Sequence, residues 1–407
     1  MRTRGLCLAA VALLVAAAGG CGSQNPDEAT GEQLAIYSSL PLQGPTAEIS
    51  KEIVNGERLA LSQAGGRAGR FRVGYVSLDD SDPRNGRLDP GVTAANAKIA
   101  AQDTSTIAYI GEYSSAATAV SLPLINAAGI LQVSPASPYV GLTSSRDAGQ
   151  YEPQRFYPTG RRTFGHLQPG DPGQASAQVK LMRALAVRRV YVLDDLNPFV
   201  VPLAELIASA ARRAGIAVAA HDSLPIELGG SFHGEVQKIA ASGAQAVSFA
   251  GGGSPGAIAL WRGLHRAKPN LLLLGSSAMA ADDAFTSAIG QAAQSTYLTS
   301  PVLSPSDYPP AAARVLKLYR ERFGADPAPN ALYGYEAMSV VLDAIRRAGT
   351  RGNNRRVVIG RFFATRDRDS VLGRYSIRAD GESTLSRYAV DRVLGGRAVF
   401  YRAFDIG

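Results

Sequence analysis

Short apolar runs alternate with amphipathic stretches along most of this chain. The first series reads strand, helix, strand, helix, strand, helix, strand, from QLAIYSSL (33–40) to ILQVSP (130–135). In the helical stretches the apolar residues recur every three or four positions, whereas the runs between them are short and almost wholly apolar. Strands of this kind, separated by helices, indicate a parallel sheet that is covered on both faces.

A second series of the same kind follows a loop-rich passage, from ASAQVKLMRALA (175–186) to NLLLLGSS (270–277). The C-terminal part adds helices over 311–324 and 331–349, and then the strand candidates RYSI, RYAVDRVL and AVFYRAF. We expect these late pieces to complete the two sheets already begun. The predicted fold class is therefore α/β, with two Rossmann-like lobes around a cleft and a chain that crosses between them more than once.

These patterns divide the chain into six predicted segments. They are a signal peptide (1–20), a lipid-anchored tether (21–32), a first segment of lobe 1 (33–165), a first segment of lobe 2 (166–297), a second segment of lobe 1 (298–380) and a C-terminal segment of lobe 2 (381–407).

The N-terminus has the three parts of a secretory signal. Arg2 and Arg4 precede an apolar run over 6–18, and the small residues of AGGC (18–21) follow. The run is too short to span a bilayer. Because AGGC resembles the lipobox of bacterial lipoproteins, we expect Cys21 to be lipidated and the protein to be extracytoplasmic, anchored to the cell membrane; plain secretion with cleavage near Gly20 is the alternative.

The remaining composition excludes several classes of function. The chain has two cysteines, of which Cys7 leaves with the signal, so the mature protein forms no internal disulfide. The net charge of +8 falls to +6 when Arg2 and Arg4 are removed (8 − 2). No basic run alternates with aromatic residues, which argues against nucleic acid. The four histidines are scattered without cysteine partners, so we expect no metal and no cofactor.

The glycine-rich stretch SFAGGGSPG (248–256) matches two catalytic motifs. One is the nucleophile elbow G-x-S-x-G with Ser254, and the other is the dinucleotide fingerprint G-x-G-x-x-G. Pro255 has no N–H for an oxyanion hole, and no acid lies between Ser254 and His265. The next strand ends in serines where the fingerprint requires an acid. We expect a protein that is not an enzyme; a secreted serine hydrolase is the rival hypothesis.

An ordered series of motifs resembles the type I periplasmic binding proteins of the branched-chain amino acid class. It comprises LPLQGPTAEISKEIVNGERLALSQAGG (40–66), VSLDDSDPRNG (76–86) and YIGEYSSAATAVSLPLINAAGILQVSPASP (109–138). The resemblance implies a monomeric, two-lobed receptor that closes on a small molecule and presents it to the permease of an ABC importer. A receptor of the same fold that serves sensing rather than transport is the alternative.

In lobe 1, the resemblance and the local sequence select the same turn. Ser114 and Ser115 begin a helix directly after an apolar strand, where free N–H groups and the helix dipole attract an anion. The resemblance implies that this turn holds a ligand carboxylate. It also implies ligand contacts from Ala136 and Ser137 after the next strand.

In lobe 2, the resemblance implies ligand contacts from Phe199, Gly252, Ser254 and Ser277. Gly252 and Gly253 replace an aromatic wall, which predicts a larger pocket. Ser277 stands where amino acid binders place an acid. Burying an ammonium group without a negative partner costs roughly several kcal/mol, because the group loses its hydration. Unless Asp195, Asp282 or Glu112 supplies the charge, a neutral or anionic ligand such as an amide or a carboxylate fits better than an amino acid.

Overall fold

The computed structural model describes residues 27–84, 86–326 and 329–407. The predicted signal peptide and Cys21 lie outside these ranges. Within them, no helix combines the length and the apolar character needed to cross a membrane.

The first lobe contains a six-stranded sheet. Its elements are β1 (Leu34–Leu40), α1 (Ala47–Gln63), β2 (Arg67–Ala68), β3 (Phe71–Asp79), α2 (Pro90–Gln102), β4 (Thr106–Ile110), α3 (Ser115–Ala127), β5 (Leu131–Ser134) and β6 (Phe164–His166). The strand order is β2-β3-β1-β4-β5-β6, and every pair except β2–β3 is parallel. Every residue of β1, β4 and β5 is buried, as expected for central strands covered on both faces.

The second lobe repeats the alternation. Its first segment contains α4 (Asp171–Ala184), β7 (Arg189–Asp194), α5 (Val201–Arg213), β8 (Ala217–Ser223), α6 (His233–Ala241), β9 (Ala246–Ala250), α7 (Pro255–Ala267), β10 (Leu272–Gly275), α8 (Ser277–Ala280), α9 (Asp283–Ala288) and β11 (Thr296–Ser300). These strands pair in parallel.

The C-terminal part returns to the first lobe and then to the second. It contains α10 (Pro310–Phe323), α11 (Asn330–Arg347), α12 (Arg355–Phe363), β12 (Arg368–Ser370), β13 (Gly373–Tyr375), β14 (Arg387–Leu394) and β15 (Arg397–Asp405). The helices pack on the core of the first lobe, whereas β14 and β15 extend the second sheet to β15-β14-β11-β10-β9-β7-β8. The chain thus passes between the lobes three times, after β6, β11 and β13.

The predicted two-lobed α/β architecture is confirmed, with two local corrections. RYSI does not complete the first sheet, because β13 pairs only with β12 in a separate two-stranded ribbon. In addition, the described end of the predicted tether is bound to the body: the N–H groups of Ala29 and Thr30 donate to the carbonyls of Asn353 and Thr104 at 2.8 and 3.0 Å. The short strands β2 and β6 were not predicted, because they have too few residues to show a period.

Helices α1 and α11 cross in close contact over the first sheet. A Cβ on Gly56 would overlap the carbonyl oxygen of Ala331, and a Cβ on Gly334 would overlap that of Ile53. Both positions therefore require glycine, because the two backbones touch there.

Gly334→Ala is expected to lower the free energy of unfolding by about 1–3 kcal/mol, since a methyl group would push two packed helices apart. Chemical denaturation of the variant measures this loss. Gly360→Ala is the matched control, because a Cβ at this position in α12 meets no atom within 4 Å. The control should be neutral or about 0.5–1 kcal/mol more stable; equal losses in both variants would contradict the crossing as the cause.

Candidate functional site

Parallel registers bring the turns that follow the strands to one edge of each sheet. In the first lobe Ile110 of β4 pairs with Val133 of β5. In the second lobe Asp194 of β7 pairs with Ala250 of β9, and β9 in turn pairs with β10 in the same direction. Ligands of open α/β sheets bind beyond the carboxyl ends of the strands. The residues predicted from sequence all lie in or beside these turns.

The start of α3 offers donors to an anion. Ser114 is the N-cap, and its Oγ accepts from the N–H of Ala117 at 3.2 Å. The N–H groups of Ser115 and Ala116 come too early in the helix to have an intrahelical acceptor. Ser115 Oγ accepts from the N–H of Tyr139 at 3.2 Å, which leaves its own hydrogen for another acceptor. Both serines are half-buried, so this helix start is suited to a carboxylate.

Ala136 and Ser137 support this turn from the end of β5. Ser137 is fully buried with a φ of 55°, and its Oγ donates to the carbonyl of Glu112 at 3.0 Å and lies 2.7 Å from Thr118 Oγ1. Ala136 is only 4% exposed. The Ser137 hydroxyl therefore forms hydrogen bonds within the protein and is not accessible to a ligand in this structure.

In the second lobe, three predicted residues are bound within their own lobe. The N–H of Gly252 donates to Asp195 Oδ2 at 3.2 Å. Ser254 is the N-cap of α7 and accepts from the N–H of Ala257 at 3.2 Å, which is the ordinary bond of a capping serine. The N–H of Ser277 donates to Gln174 Oε1 at 3.0 Å.

The glycine turn is less open than its sequence predicts. A Cβ on Gly253 would lie 2.5 Å from Asp282 Oδ2, and a Cβ on Gly251 would overlap the ring of Phe249 and lie 2.8 Å from Asp195 Oδ2. Only Gly252 faces space, with its nearest neighbour, an oxygen of Glu227, 3.8 Å away. The expected enlargement of the pocket at Gly253 is wrong, because Asp282 and Phe285 occupy that volume.

Phe199 lies where the two lobes meet. Its ring packs edge-to-face on Tyr139 of the first lobe, with centroids 5.3 Å apart and planes at 81°. Beside this contact, the N–H of Asp171 donates to the carbonyl of Pro138 at 2.9 Å, and Asp171 Oδ2 accepts from the N–H of Val140 at 3.3 Å. Tyr139 and Asp171 were not predicted from the sequence. Their only local signals are that Tyr139 directly follows SPASP and that Asp171 is the first residue of α4.

Comparisons with known proteins agree with this geometry. A family model described as periplasmic binding protein matches residues 38–397. The chain belongs to this family. The resemblance stated from sequence is thereby confirmed. No curated protein sequence matches the chain.

Solved structures share the fold over nearly their whole length. The leucine-binding protein of Thermotoga maritima is 21% identical, with a TM-score of 0.75, over 91% of this chain and 99% of that one. A substrate-binding protein of Desulfitobacterium hafniense in complex with leucine is 16% identical, with a TM-score of 0.74, over 91% and 100%. A solute-binding protein of R. palustris in complex with benzoate is 15% identical, with a TM-score of 0.69, over 91% and 96%.

This family member carries a pair of buried acids beneath the start of α3. Glu112 is fully buried, and its Oε1 accepts from the hydroxyl of Tyr109 at 2.6 Å. Burial raises the pKa of Glu112 well above its usual range, and the charge of Asp80 raises it further. Burial also raises the pKa of Asp80 to about 6, although its hydrogen bond to Glu112 opposes the rise. The pair therefore holds a proton at a pH at which exposed carboxyls have lost theirs.

A metal site needs several such side chains together. In the part of the chain that the structure describes, no group of three or more histidine, cysteine, aspartate or glutamate side chains is arranged to hold a metal ion.

The raised pKa values make stability depend on pH in a defined direction. The folded state keeps the proton of the pair while the unfolded chain loses it above about pH 4, so the stabilisation is complete below that pH and is lost as the pH rises. Glu112→Gln, which keeps the shape without the charge, should lose less stability than the wild type between about pH 4 and pH 8. The wild-type stability should therefore fall more steeply with rising pH than that of Glu112→Gln across this range.

Urea denaturation at a series of pH values measures this difference. Glu205→Gln on the exposed face of α5 is the control and should keep the wild-type slope. Parallel curves for wild type and Glu112→Gln would show that the pair does not hold a proton.

Proposed function

We propose that the chain is an extracytoplasmic solute-binding lipoprotein, lipidated at Cys21, that captures a small molecule between its lobes and delivers it to an ABC importer. The observation that carries the proposal is the meeting of the two lobes at Tyr139 and Phe199, beside the turns at the carboxyl ends of both sheets. A seam of this kind, crossed by three chain segments, suits hinged closure around a ligand.

The ligand is an amino acid, an amide or a carboxylate. Leucine and benzoate, bound by two of the similar structures, differ in size and in the presence of an ammonium group but share a carboxylate. The start of α3, with Ser114 and Ser115, supplies donors that fit this shared group. This supports a carboxylate as the common recognition element.

The acids near the candidate site, in both lobes, favour a ligand without an ammonium group. Ser277 brings no charge, and Glu112 is fully buried. Both oxygens of Asp195 already accept backbone N–H groups, from Asn197 at 3.1 Å and Gly252 at 3.2 Å. Asp282 Oδ1 accepts from the N–H of Phe285 at 3.0 Å, as an N-cap. Asp195 thus holds the glycine turn and Asp282 caps α9, so we favour amides and carboxylates over amino acids.

A thermal-shift screen of the protein without its signal peptide tests this ligand preference, because a ligand that binds only the folded state raises the melting temperature. Carboxylates and amides should give larger shifts than leucine or valine. Ser115→Ala should then weaken the responding ligand about tenfold or more, since a hydrogen bond to a charged group contributes about 1.5–3 kcal/mol. The control is Ser242→Ala. Ser242 follows the last residue of α6, so this change should leave the affinity for the ligand unchanged. An unaltered affinity in Ser115→Ala removes the carboxylate site.

Asp282→Asn tests the charge at the second lobe while keeping a side chain that caps α9. We expect the affinity for the responding ligand, measured by calorimetry, to change less than about threefold, because a charged partner would contribute well over 1.4 kcal/mol. A loss of tenfold or more, together with a strong response to leucine, would show that this acid binds an ammonium group.

A further inference from the structure

A hairpin on the outer edge of the first lobe brings three arginines together. Strand β2 and the start of β3 pair so that Arg67 lies directly opposite Arg72, and Gly69 and Arg70 form the two-residue turn. Gly69 has a φ of 60°, the left-handed conformation that such turns require. All three arginines are exposed.

The pairing of these arginines is unfavourable within the protein. Like charges directly opposite each other on paired strands destabilise a hairpin. Arg67 Nη2 donates to the carbonyl of Arg70 at 2.9 Å, and the guanidinium of Arg70 lies 5.1 Å from the ring centroid of Phe71. Among the described residues, none of the three forms an ion pair with an acid. The hairpin thus presents positive charge that nothing in the described fold neutralises.

The positive surface continues on both sides of the hairpin. Arg67, Arg70 and Arg72 line a cavity of about 330 Å³ in which Glu32 is the one acid among the lining residues. Arg67 also lines a second cavity, of about 310 Å³, with Arg346, whose side chain is 69% exposed and paired with Asp343. Guanidinium groups bind phosphate through two parallel hydrogen bonds, so this surface suits a phosphate-bearing partner.

The arginine hairpin lies close in space to the first described residues, which are close in sequence to Cys21, the predicted site of lipidation. Ala29 and Gly31 line the same cavity as the three arginines, and residues 29 and 30 are hydrogen-bonded to the body. Asp27 lies six residues after Cys21 (27 − 21), and six residues span at most about 20 Å. A lipid on Cys21 would therefore hold the hairpin within a few nanometres of the membrane surface.

We propose that the hairpin of Arg67, Arg70 and Arg72 binds the anionic headgroups of the membrane to which the protein is anchored. This contact brings the outer edge of the first lobe, where the β2–β3 hairpin lies, to the lipid surface. The binding is electrostatic, so it weakens as salt rises. It is independent of the solute that the cleft binds, and its test does not depend on that solute.

Vesicle sedimentation tests the proposal with the chain from residue 22, which contains every described residue and lacks the lipid that would itself bind the bilayer. Vesicles of phosphatidylglycerol and phosphatidylcholine should bind the protein, and vesicles of phosphatidylcholine alone should not. Each arginine near an anionic surface contributes about fivefold to the partition coefficient. The triple variant R67Q/R70Q/R72Q should therefore bind about a hundredfold more weakly, and wild-type binding should fall with added salt.

The control R183Q/R212Q/R266Q makes the same change of net charge with exposed arginines of the second lobe, and it should bind as the wild type does. Equal losses in the two triple variants, or wild-type binding that salt does not weaken, would overturn the proposal. Binding of soluble teichoic acid by the wild-type protein, with no binding to the vesicles, would also overturn the proposal. Thermal melting of both variants checks that the loss is not caused by unfolding.

Discussion

The common direction of the central strands is the constraint on which the rest of the structure depends. Within each sheet, parallel pairing ends neighbouring strands at one edge, so turns that are distant in sequence lie together in space. Because each backbone N–H and C=O of a buried strand must be paired, a slip in register would leave buried backbone groups without partners. The serines at the start of α3 and the glycine turn before α7 owe their positions to this pairing.

The joining of the lobes depends on a second set of contacts, near the places where the chain leaves the first lobe. His166, the last residue of β6, lies next to Glu382, with Nε2 3.1 Å from Oε1, while its Nδ1 is 2.8 Å from the carbonyl of Gln168. Burial opposes charge on His166, but the carboxylate of Glu382 outweighs this and raises the pKa of the imidazole. This contact joins two of the three crossing segments to each other, and Asp171 binds the loop that carries Tyr139.

The candidate site shows which of its residues a local sequence pattern can predict. Ser114 and Ser115 were identifiable because a capping serine after an apolar strand is a local signal, and the structure places both at the start of α3. For Ser137 the resemblance alone implies a ligand contact, and in the structure its buried hydroxyl donates to the carbonyl of Glu112. The space beside Gly253 is filled by Asp282, 29 positions later, and the ring that meets Phe199 is Tyr139, 60 positions earlier. No local pattern reports contacts between residues so far apart.

The sequence by itself determined the α/β class, the two lobes, the repeated crossing and the family, because each follows from hydrophobic periodicity or from an ordered series of motifs. Only the tertiary structure decided which glycines leave space, which serines keep an accessible hydroxyl and which arginines face each other on the β2–β3 hairpin. The reason is physical: periodicity records which face of an element is buried, whereas the shape and charge of a site depend on which elements pack against that face.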